Sequence, residues 1–454
     1  MNIVVCIRQD LQGEISPFDA CAYEAALRIK DADITLLSMG APKTADFLTR
    51  LTRLGAKRAI LLTDPAFAGA DTLATAYALS LAVKKLEPQL LLCGRQTLVG
   101  DTGQVPPMLA TLSGYGMICS ALELEPSESE ITCSLRGGEK KSIPYPALVT
   151  VERINTLRLP SIRSRAGTVE LWSADDIGAD KSRCGLVGSP TRVIKTFENS
   201  SGRRKCKFIK MSELEDVIKS SLEKTRVSEQ ATDTAHKLSK VFSVGEKPMA
   251  FASSVCENVS VLPSNADEII KKIKDESPDA VLFASDSESK ALAGRVAAML
   301  SLGLCADCTQ LSAEDGELIM FRPALSGSVI AKIKSLTKPA MASVRTEEDD
   351  IKDIIIGIGY GAADSLDKAK ALSQKLGAEL AASRKTVDSG ILPYELQVGL
   401  TGKTVSPPVY IAIGISGAVH HIVGMGRSGT VIAINPDKSA PIFDYADYGI
   451  LENF

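Results

Sequence analysis

Short apolar runs alternate with amphipathic stretches along the first 200 residues or so of the chain. The apolar runs predict strands at 3–7, 34–39, 59–62 and 90–93. The stretches between them predict helices at 18–29, 43–54 and 72–86. Strands separated by helices of this length form βαβ units and a parallel sheet. The strands are almost continuously apolar, as expected when both faces of the sheet are covered.

The pattern changes after this region. Residues 199–246 are rich in Lys, Glu, Ser and Thr, which predicts a linker with one or two exposed helices. A second α/β region follows at 247–345, and a third opens with an apolar strand at 354–358. The sequence therefore predicts domains at 1–198, 247–345 and 346–454, with 199–246 as the joint.

A weak internal repeat links the first two regions. Residues 86–125 resemble residues 276–315: each has a proline, an apolar strand, a polar loop and a helix that ends near Leu-Ser and a glycine. This similarity predicts a pseudo-symmetric pair of sheets, with chance likeness between ordinary α/β units as the alternative.

Composition narrows the function. The chain has 454 residues, 45% apolar and 24% charged, with a net charge of -3, so nothing indicates a nucleic-acid footprint. No apolar run is long enough for a membrane span, and the first residues read as a buried strand and not as a signal peptide. Ten scattered cysteines suit a reducing cytoplasm. Only Cys305 and Cys308 form a CxxC pair; it is a weak redox signal, and no second pair completes a metal site.

Candidate chemistry is concentrated between residues 381 and 435. The glycine-rich stretch 397–404 contains Gly-Lys-Thr but lacks the first glycine of a P-loop, which argues against an ATPase. An apolar strand at 410–413 runs into Gly414-Ile415-Ser416-Gly417-Ala418 and a helix, an arrangement that suits a dinucleotide pyrophosphate or a ring carbonyl. His420 and His421, two of the three histidines, follow directly. Buried or surface histidines without a ligand are the alternative.

These motifs resemble the FAD-binding domain of the electron transfer flavoprotein alpha subunit. The resemblance rests on motifs around Ala382-Ser383-Arg384, Gln397-Val398-Gly399, Thr401-Gly402-Lys403-Thr404, Gly414 to Ala418, Ala433-Ile434-Asn435 and Ala446-Asp447-Tyr448-Gly449. The front of the chain resembles the beta subunit, through Cys93-Gly94-Arg95-Gln96, Gly100-Asp101-Thr102-Gly103-Gln104-Val105 and Gly188-Ser189-Pro190-Thr191. Residues 293–309 and Arg322-Pro323-Ala324 resemble the first domain of the alpha subunit. The resemblance therefore implies that the two subunits are joined in one chain, beta first.

The resemblance implies the fold and the cofactors. It implies two Rossmann-like, adenine-nucleotide-hydrolase-like parallel-sheet domains and a C-terminal flavodoxin-like (DHS-like) FAD-binding α/β domain. It implies FAD in the last domain, and AMP or a second FAD in the beta-like domain. The implied FAD-binding residues are Ser383, Arg384, Gln397, Val398, Gly399, Thr401, Gly402, Ser416, Gly417, Ala418, Val419, His420, His421 and Asn435. Those implied for the second nucleotide are Cys6, Asp19, Gln96, Gly100, Asp101, Thr102, Gly103, Gln104 and Val105.

The resemblance also implies individual roles. Arg384 would favour negative charge on the reduced flavin, Thr401 would bond near N5, and His421 would lie near the O2 edge. A helix-terminal salt bridge is the alternative for Arg384. The 100–103 loop would form a phosphate nest, or only cap a helix.

Several positions depart from the family pattern. A long N-terminal hairpin is missing after Gln9, and Ile358 replaces an arginine that would contact phosphate. A closing C-terminal helix is also missing.

The expected activity is that of a cytoplasmic redox carrier, and not of an enzyme with its own small-molecule substrate. Residues 157–165 correspond to the loop that meets the redox partner, an acyl-CoA dehydrogenase or another flavin or iron–sulfur oxidoreductase, with Ile162 as its apolar anchor. A plain solvated loop is as good a reading. The alternatives for the whole chain are an NADH-dependent electron-bifurcating flavoprotein with two FADs and a nucleotide-binding regulator that has lost redox activity. No nucleic acid or membrane partner is expected.

Overall fold

A computed structural model describes most of the chain. The described residues are 1–10, 13–97, 100, 102–135, 138–152, 156–198, 204–228, 238–324, 329–345, 352–399, 402–403, 405–426 and 428–454. The contacts divide the chain into two compact units. The first unit comprises Met1–Phe197, Thr234–Leu325 and Ile330–Thr346, and the second comprises Glu198–Asp233, Ser326–Val329 and Glu347–Phe454.

The front of the first unit is a parallel seven-stranded sheet in the order β10-β3-β2-β1-β4-β9-β5. The strands up to residue 198 are β1 Asn2–Cys6, β2 Asp33–Met39, β3 Arg58–Leu62, β4 Leu90–Gly94, β5 Gly116–Ala121, β6 Glu123–Pro126, β7 Glu130–Ser134, β8 Lys140–Pro144, β9 Ala147–Val151, β10 Thr168–Trp172 and β11 Thr191–Glu198. The helices are α1 Pro17–Arg28, α2 Thr44–Thr52, α3 Thr72–Leu86 and α4 Val105–Ser113. Every strand and helix predicted between residues 3 and 93 is confirmed to within about two residues.

The segment predicted as a linker contributes to the second unit. It holds a short strand, β12 Lys207–Phe208, and a helix, α5 Leu214–Ser228. The strand pairs with a C-terminal strand at Tyr448 and Gly449, and Leu214 and Ile218 of the helix are buried in the core of that unit. The linker interpretation included neither the strand nor this burial.

The rest of the first unit repeats the front half on a smaller scale. A parallel five-stranded sheet has the order β14-β13-β15-β20-β16, and β11 joins β19, β18 and β17 in a four-stranded sheet. The strands are β13 Val241–Val244, β14 Val259–Leu262, β15 Ala280–Ala284, β16 Leu304–Cys308, β17 Gln310–Glu314, β18 Glu317–Ala324, β19 Val329–Ser335 and β20 Ala340–Val344. The helices are α6 Met249–Val255, α7 Ala266–Glu276 and α8 Ser287–Leu300.

The structure confirms the internal repeat. In both halves a strand pairs with its neighbour across a register shift, β5 with β9 and β16 with β20. A non-glycine residue in the left-handed region sits at the same place in each shift, Ser120 with φ 59° and Asp307 with φ 55°. The amide of each donates to a hydroxyl on the neighbouring strand, at 2.8 and 3.0 Å. Chance likeness does not produce a shared bulge with shared hydrogen bonds.

The second unit is built on a parallel six-stranded sheet in the order β12-β25-β24-β23-β21-β22. Its further strands are β21 Ile354–Ile358, β22 Glu379–Ala382, β23 Val409–Ile413, β24 Thr430–Ile434 and β25 Tyr448–Ile450. Its further helices are α9 Leu366–Leu376, α10 Arg384–Asp388 and α11 Val419–Met425. The three central strands, β21, β23 and β24, are almost wholly buried because core clusters cover both faces of the sheet. The predicted α/β class with parallel sheets is confirmed. In the described part of the chain, no helix combines the length and apolar character that crossing a bilayer requires.

Candidate functional site

Three central strands of the second unit end side by side at one edge of the sheet. Gly359 follows β21, Gly414 follows β23, and Asn435 follows β24. The amide of Gly359 donates to Ile413 at 2.8 Å and that of Gly414 to Ile434 at 2.9 Å. Ligands of open α/β sheets bind in the crevice outside the carboxyl ends of the strands, so this edge is the candidate site.

The turn after β23 is built for close backbone approach. Gly417 has φ +91°, and a Cβ there would lie 2.1 Å from the backbone nitrogen of Ile442. The side-chain amide of Asn435 donates to the carbonyl of Ile415 at 3.0 Å and holds the turn in place. Ser416 and Ala418 are exposed on the outer side. The result is a narrow backbone cradle that leads into helix α11.

The glycine-rich loop forms a tight turn beside this cradle. The amide of Lys403 donates to Gln397 at 2.8 Å, and the amide of Gly399 donates to Lys403 at 3.1 Å. Gly399 has φ 141°, and its backbone nitrogen would lie 2.3 Å from a Cβ at Gly424 of α11. The loop and the helix therefore touch through glycine backbones. Gln397, Val398 and Gly402 are buried in this arrangement.

Lys403 does not stand free as a P-loop lysine would. Its ammonium forms an ion pair with Glu379 of β22. This contact supports the conclusion that the Gly-Lys-Thr sequence is not a nucleoside triphosphate site. The sequence offered no sign of the partner, because Glu379 lies on a different strand.

Arg384 opens helix α10 and is exposed. Its Nε lies 3.1 Å from Asp388 Oδ2, one helical turn away, and both side chains are about half exposed. Exposed pairs of this kind contribute only about 0–1 kcal/mol, so Asp388 can give up the guanidinium to another anion at little cost. Ser383 is fixed by its amide, which donates to Ile358 at 2.9 Å, and its hydroxyl lies 2.9 Å from Thr386 Oγ1.

His421 is buried and contacts a buried tyrosine. Its Nε2 lies 3.0 Å from the hydroxyl of Tyr410. Burial lowers the pKa of His421 to about 4, although the neighbouring backbone of Val398 favours the protonated ring. The ring is therefore neutral at physiological pH. Tyr410 was not among the predicted site residues, because a tyrosine inside an apolar strand reads as core.

The remaining predicted FAD residues are described only in part or not at all. Thr401 lies outside the described residues, and Val419 and His420 are described only as backbone at the start of α11. Ile358, where the resemblance implied the loss of a phosphate-contacting arginine, is fully buried in the sheet core.

In the first unit, a second constellation surrounds the ends of β1 and β4. Asp19 is buried, and its carboxylate accepts from the amides of Arg8 at 2.9 Å and Gly94 at 3.3 Å. Burial raises the pKa of Asp19 to about 7 despite these bonds. A Cβ on Gly94 would lie 2.5 Å from the same carboxylate. The hydrogen bond that the Cys93 thiol donates to Cys6, together with burial, raises the pKa of Cys93 well above its ordinary value.

The loop that follows β4 carries the other residues that were predicted to bind the second nucleotide. Gln96, Gly100, Thr102, Gly103 and Val105 are half-buried, and Asp101 lies outside the described residues. Gly103 has φ +61°, which a phosphate nest or a tight turn would use.

Gln104 points away from the loop. Its amide nitrogen donates to Thr72 Oγ1 at 3.0 Å and to the carbonyl of Leu304 at 3.2 Å, and its oxygen accepts from the amide of Ala306 at 3.2 Å. This side chain ties the two halves of the first unit together.

Sequence reasoning also missed Arg322. This buried residue of β18 donates through Nη2 to the carbonyl of Gly100 at 2.8 Å. The two thiols of the CxxC pair are buried and free in the core of the same half. Among the described residues, no cluster of His, Cys, Asp and Glu is arranged to hold a metal ion.

The exposed loop at 157–165 is anchored near its start. The guanidinium of Arg158 bonds both carboxylate oxygens of Glu24, at 3.0 and 2.9 Å. Burial would raise the pKa of Glu24, but the bonds from Arg158 and Arg28 outweigh it and lower the pKa to about 2. Beyond this anchor Ile162 is 98% exposed and Leu159 is 89% exposed.

Comparison with known proteins identifies the family. The electron transfer flavoprotein domain matches residues 3–177 and 263–378, and the electron transfer flavoprotein FAD-binding domain matches residues 350–426.

Relatives of both subunits match the chain. The electron transfer flavoprotein subunit alpha of Thermoanaerobacterium thermosaccharolyticum is 38% identical over 232 residues, which are 41% of this chain and 70% of that protein. The subunit beta of Clostridium acetobutylicum is 36% identical over 226 residues, 43% of this chain and 87% of that protein. Protein FixA of Azorhizobium caulinodans is 36% identical over 252 residues, 47% of this chain and 90% of that protein. With domain matches over more than half of its length, and relatives among both subunits, the chain belongs to the electron transfer flavoprotein family, with beta-like and alpha-like sequence in one polypeptide.

Proposed function

We propose that this protein binds FAD in the second unit and carries electrons between a dehydrogenase and another redox partner. The observation that carries the proposal is the backbone cradle at the ends of β21, β23 and β24. A Cβ at Gly417 would collide with the backbone of Ile442, and a Cβ at Gly424 would collide with the backbone of Gly399. The glycines therefore let the turn after β23 and the glycine-rich loop pack closely along this edge of the sheet. Such a cradle fits a dinucleotide, whose pyrophosphate accepts hydrogen bonds from backbone amides.

Each part of the cradle has a proposed task. Ser416, Gly417, Ala418 and Asn435 would hold the ribityl chain and the diphosphate, and the 397–402 loop would border the ring system. Arg384, whose present partner is only an exposed carboxylate, would supply positive charge to the ring. FAD, when bound, supplies the capacity to take up and release electrons. The chain's own residues orient it, restrict water and stabilise negative charge.

The domain assignment is part of the same proposal. Residues 1–198 would act as the beta-like domain, 247–345 as the first alpha-like domain, and 346–454 as the FAD domain, with 199–246 as the joint. The constellation around Asp19 and Gly103 would hold a second nucleotide, AMP or a second FAD. Support comes from Gly94, where the absence of a Cβ lets the Asp19 carboxylate approach the end of β4, and from Gly103, whose φ of +61° shapes the loop that follows.

The partner would dock on the loop at 157–165. Arg158 is fixed by Glu24, so the loop projects from a rigid base, and Ile162 presents an apolar side chain among arginines. A small interface with one apolar anchor suits a transient redox complex. An acyl-CoA dehydrogenase, or another flavin or iron–sulfur oxidoreductase, is the proposed partner.

A visible spectrum of the purified protein, with the released nucleotides identified and counted per chain, tests the proposal. One FAD per chain that bleaches with dithionite supports the carrier. Two FADs per chain would favour a bifurcating flavoprotein, and NADH would then reduce the protein. A colourless protein that cannot be reconstituted with FAD would refute both and leave a nucleotide-binding regulator.

A further inference from the structure

Tyr410 and His421 form a hydrogen-bonded pair inside the second unit. Tyr410 lies on β23 and is fully buried, and its hydroxyl is 3.0 Å from Nε2 of His421 on α11. The room for this hydroxyl comes from the neighbouring strand: a Cβ at Gly357 of β21 would lie 2.0 Å from it. A glycine thus stands where any other residue would push the phenol off the imidazole.

The direction of the hydrogen bond follows from burial. Burial raises the pKa of Tyr410 far above its ordinary value, so the phenol keeps its proton. Within the described residues, the hydroxyl has His421 as its hydrogen-bond partner. If Nε2 of His421 carried the proton, the buried phenol O–H would be left without an acceptor, at a cost of about 1–3 kcal/mol, so the arrangement in which Nε2 accepts is favoured. The proton of a neutral imidazole is then on Nδ1.

The other side of the ring meets the glycine-rich loop. Nδ1 is shielded from solvent and has no hydrogen bond of ordinary geometry, while the backbone of Val398 lies close enough to favour a protonated nitrogen there. Val398 precedes Gly399, whose backbone contacts α11 at Gly424. The imidazole therefore sits between strand β23 and the turn of the loop.

We propose that Tyr410 is a positioning residue: it holds His421 as the neutral Nδ1–H tautomer, and the pair fixes the 397–403 loop against helix α11. The imidazole is then neutral, with its proton fixed on Nδ1, and brings no positive charge to the site. In the proposed FAD site, the positive charge near the flavin would come from Arg384. The functional part of this inference rests on the proposed FAD site, whereas the tautomer itself does not.

The test is NMR of the full-length protein with ¹⁵N-labelled histidine. The chain has three histidines, and a His421→Gln variant identifies the signals of His421. The expected result is a protonated Nδ1 and an unprotonated Nε2, with no titration between pH 5 and 8. A proton on Nε2, or titration near pH 6.5, would overturn the proposal. The tautomer is determined in the wild-type protein, and the His421→Gln variant serves only to assign the signals.

A Tyr410→Phe variant tests the positioning role. We expect His421 to show a mixture of tautomers, and FAD to dissociate about tenfold more readily because the loop loses its anchor. Tyr115→Phe is the matched control: it removes a comparable hydrogen bond, from Tyr115 to Pro88 at 2.8 Å in the first unit, and should leave the His421 signals unchanged. Unchanged tautomer signals in Tyr410→Phe would refute the proposal.

The two proposals fail separately. If the protein binds no FAD yet His421 is the Nδ1–H tautomer, the proposed function is wrong and the positioning stands. If FAD binds and His421 carries its proton on Nε2 or becomes charged, the positioning is wrong and the proposed function stands.

Discussion

Individual glycines determine how closely backbone segments approach one another in the second unit. Gly417 combines a left-handed φ of +91° with a contact that any Cβ would violate. Gly377, at the end of α9, also has a positive φ, +63°, but has open space around the Cβ position. A substitution at Gly377 therefore introduces only the strain of a left-handed backbone, whereas a substitution at Gly417 adds a steric collision to that strain.

Gly417→Ala should damage the cradle much more than Gly377→Ala damages its helix end. A left-handed alanine costs about 1–2 kcal/mol, and at Gly417 the collision with Ile442 adds a further shift of the turn. We expect Gly417→Ala to lose bound FAD and to lower the free energy of unfolding by roughly 3 kcal/mol or more. Urea unfolding and the flavin absorbance measure the two effects. Equal effects in both variants would show that the close approach at Ile442 has no importance.

The sequence could indicate such glycines but not the side-chain pairs around them. Glycine motifs are local, and their spacing next to an apolar strand can be recognised in the sequence. By contrast, the ion pair between Lys403 and Glu379 and the bond between Tyr410 and His421 join different elements. Gln104 looked like part of a nucleotide loop, yet it points into the contact with β16. No periodicity in the chain specifies these partners.

Helix α1 carries two buried carboxylates with opposite electrostatic behaviour. Asp19 is neutralised by burial, which raises its pKa to about 7. Glu24, five residues further along, is held as a carboxylate by Arg158 and Arg28 against the effect of burial, with a pKa of about 2. One element thus gives two opposite contributions to the pH dependence of stability.

Asp19→Asn should remove the fall in stability that the wild type shows as the pH rises. In the wild type the folded state holds a proton on Asp19 that the unfolded state has lost, so stability falls as pH rises from about 4 to about 7. An asparagine has no charge to bury, but its single oxygen can accept from only one of the two amides, because Arg8 and Gly94 bond different oxygens of the carboxylate. We therefore expect the variant to be less stable than the wild type at pH 4, and this difference to shrink by on the order of 2 kcal/mol by pH 8, where the wild type buries a charge. Urea unfolding across this pH range measures it.

Glu24→Gln serves as the control with the opposite sign. Its folded pKa is depressed, so its contribution is present above about pH 4.5 and disappears as pH falls toward 2. We expect a loss of about 1–2 kcal/mol at pH 7, reduced because both arginines are partly exposed. A gain at pH 7 would contradict the ion-pair interpretation.

The repeated bulge shows how the two halves of the first unit diverged. Ser120 and Asp307 occupy the same left-handed position, but only Asp307 is charged. Lys290 lies 2.8 Å from its carboxylate and Arg345 lies 3.8 Å away. Lys290 lies near the start of α8, in the region of the second half that corresponds to the 100–103 loop of the first half. In the second half, the ion pair between Asp307 and Lys290 therefore occupies the region that corresponds to the 100–103 loop of the first half.

Asp307→Asn should destabilise the first unit by about 3 kcal/mol, because it leaves the Lys290 ammonium without its carboxylate. The double variant Asp307→Asn with Lys290→Met should recover most of that loss. Ser120→Gly, at the equivalent position, relieves a left-handed backbone and should change stability by less than about 1 kcal/mol. Urea unfolding of the variants measures these effects. No recovery in the double variant would mean that Arg345, and not Lys290, dominates the pair.

The limits of helices and strands could be predicted from the sequence where the apolar periodicity was strong. The strand at Ile354–Ile358 and the helix at Thr72–Leu86 were predicted at their observed limits. The strand Lys207–Phe208 was not, because two residues between charged neighbours carry no period, and its identity comes only from pairing with Tyr448–Ile450. Pairing across more than two hundred residues cannot be deduced from local pattern.

At the scale of the whole molecule, one chain contains what its relatives divide between two. The relatives named subunit alpha and subunit beta each match less than half of this chain. Strand β11, at the end of the beta-like half, pairs into the sheet of β17, β18 and β19 from the alpha-like half. Because the two halves are covalently joined, the effective concentration of one half near the other does not change when the protein is diluted.

Ile162→Glu should slow electron transfer from a reduced acyl-CoA dehydrogenase about tenfold without changing the protein itself. Ile162 is 98% exposed, so it adds nothing to the core, and burying a carboxylate in its place would oppose docking by about 1–2 kcal/mol. Stopped-flow reduction measures the rate, and unfolding should be unchanged within about 0.5 kcal/mol. Val187→Glu is the matched control, since Val187 is 81% exposed and lies outside this loop. If both variants slow the transfer equally, the effect is one of net charge and the loop at 157–165 is not the docking site.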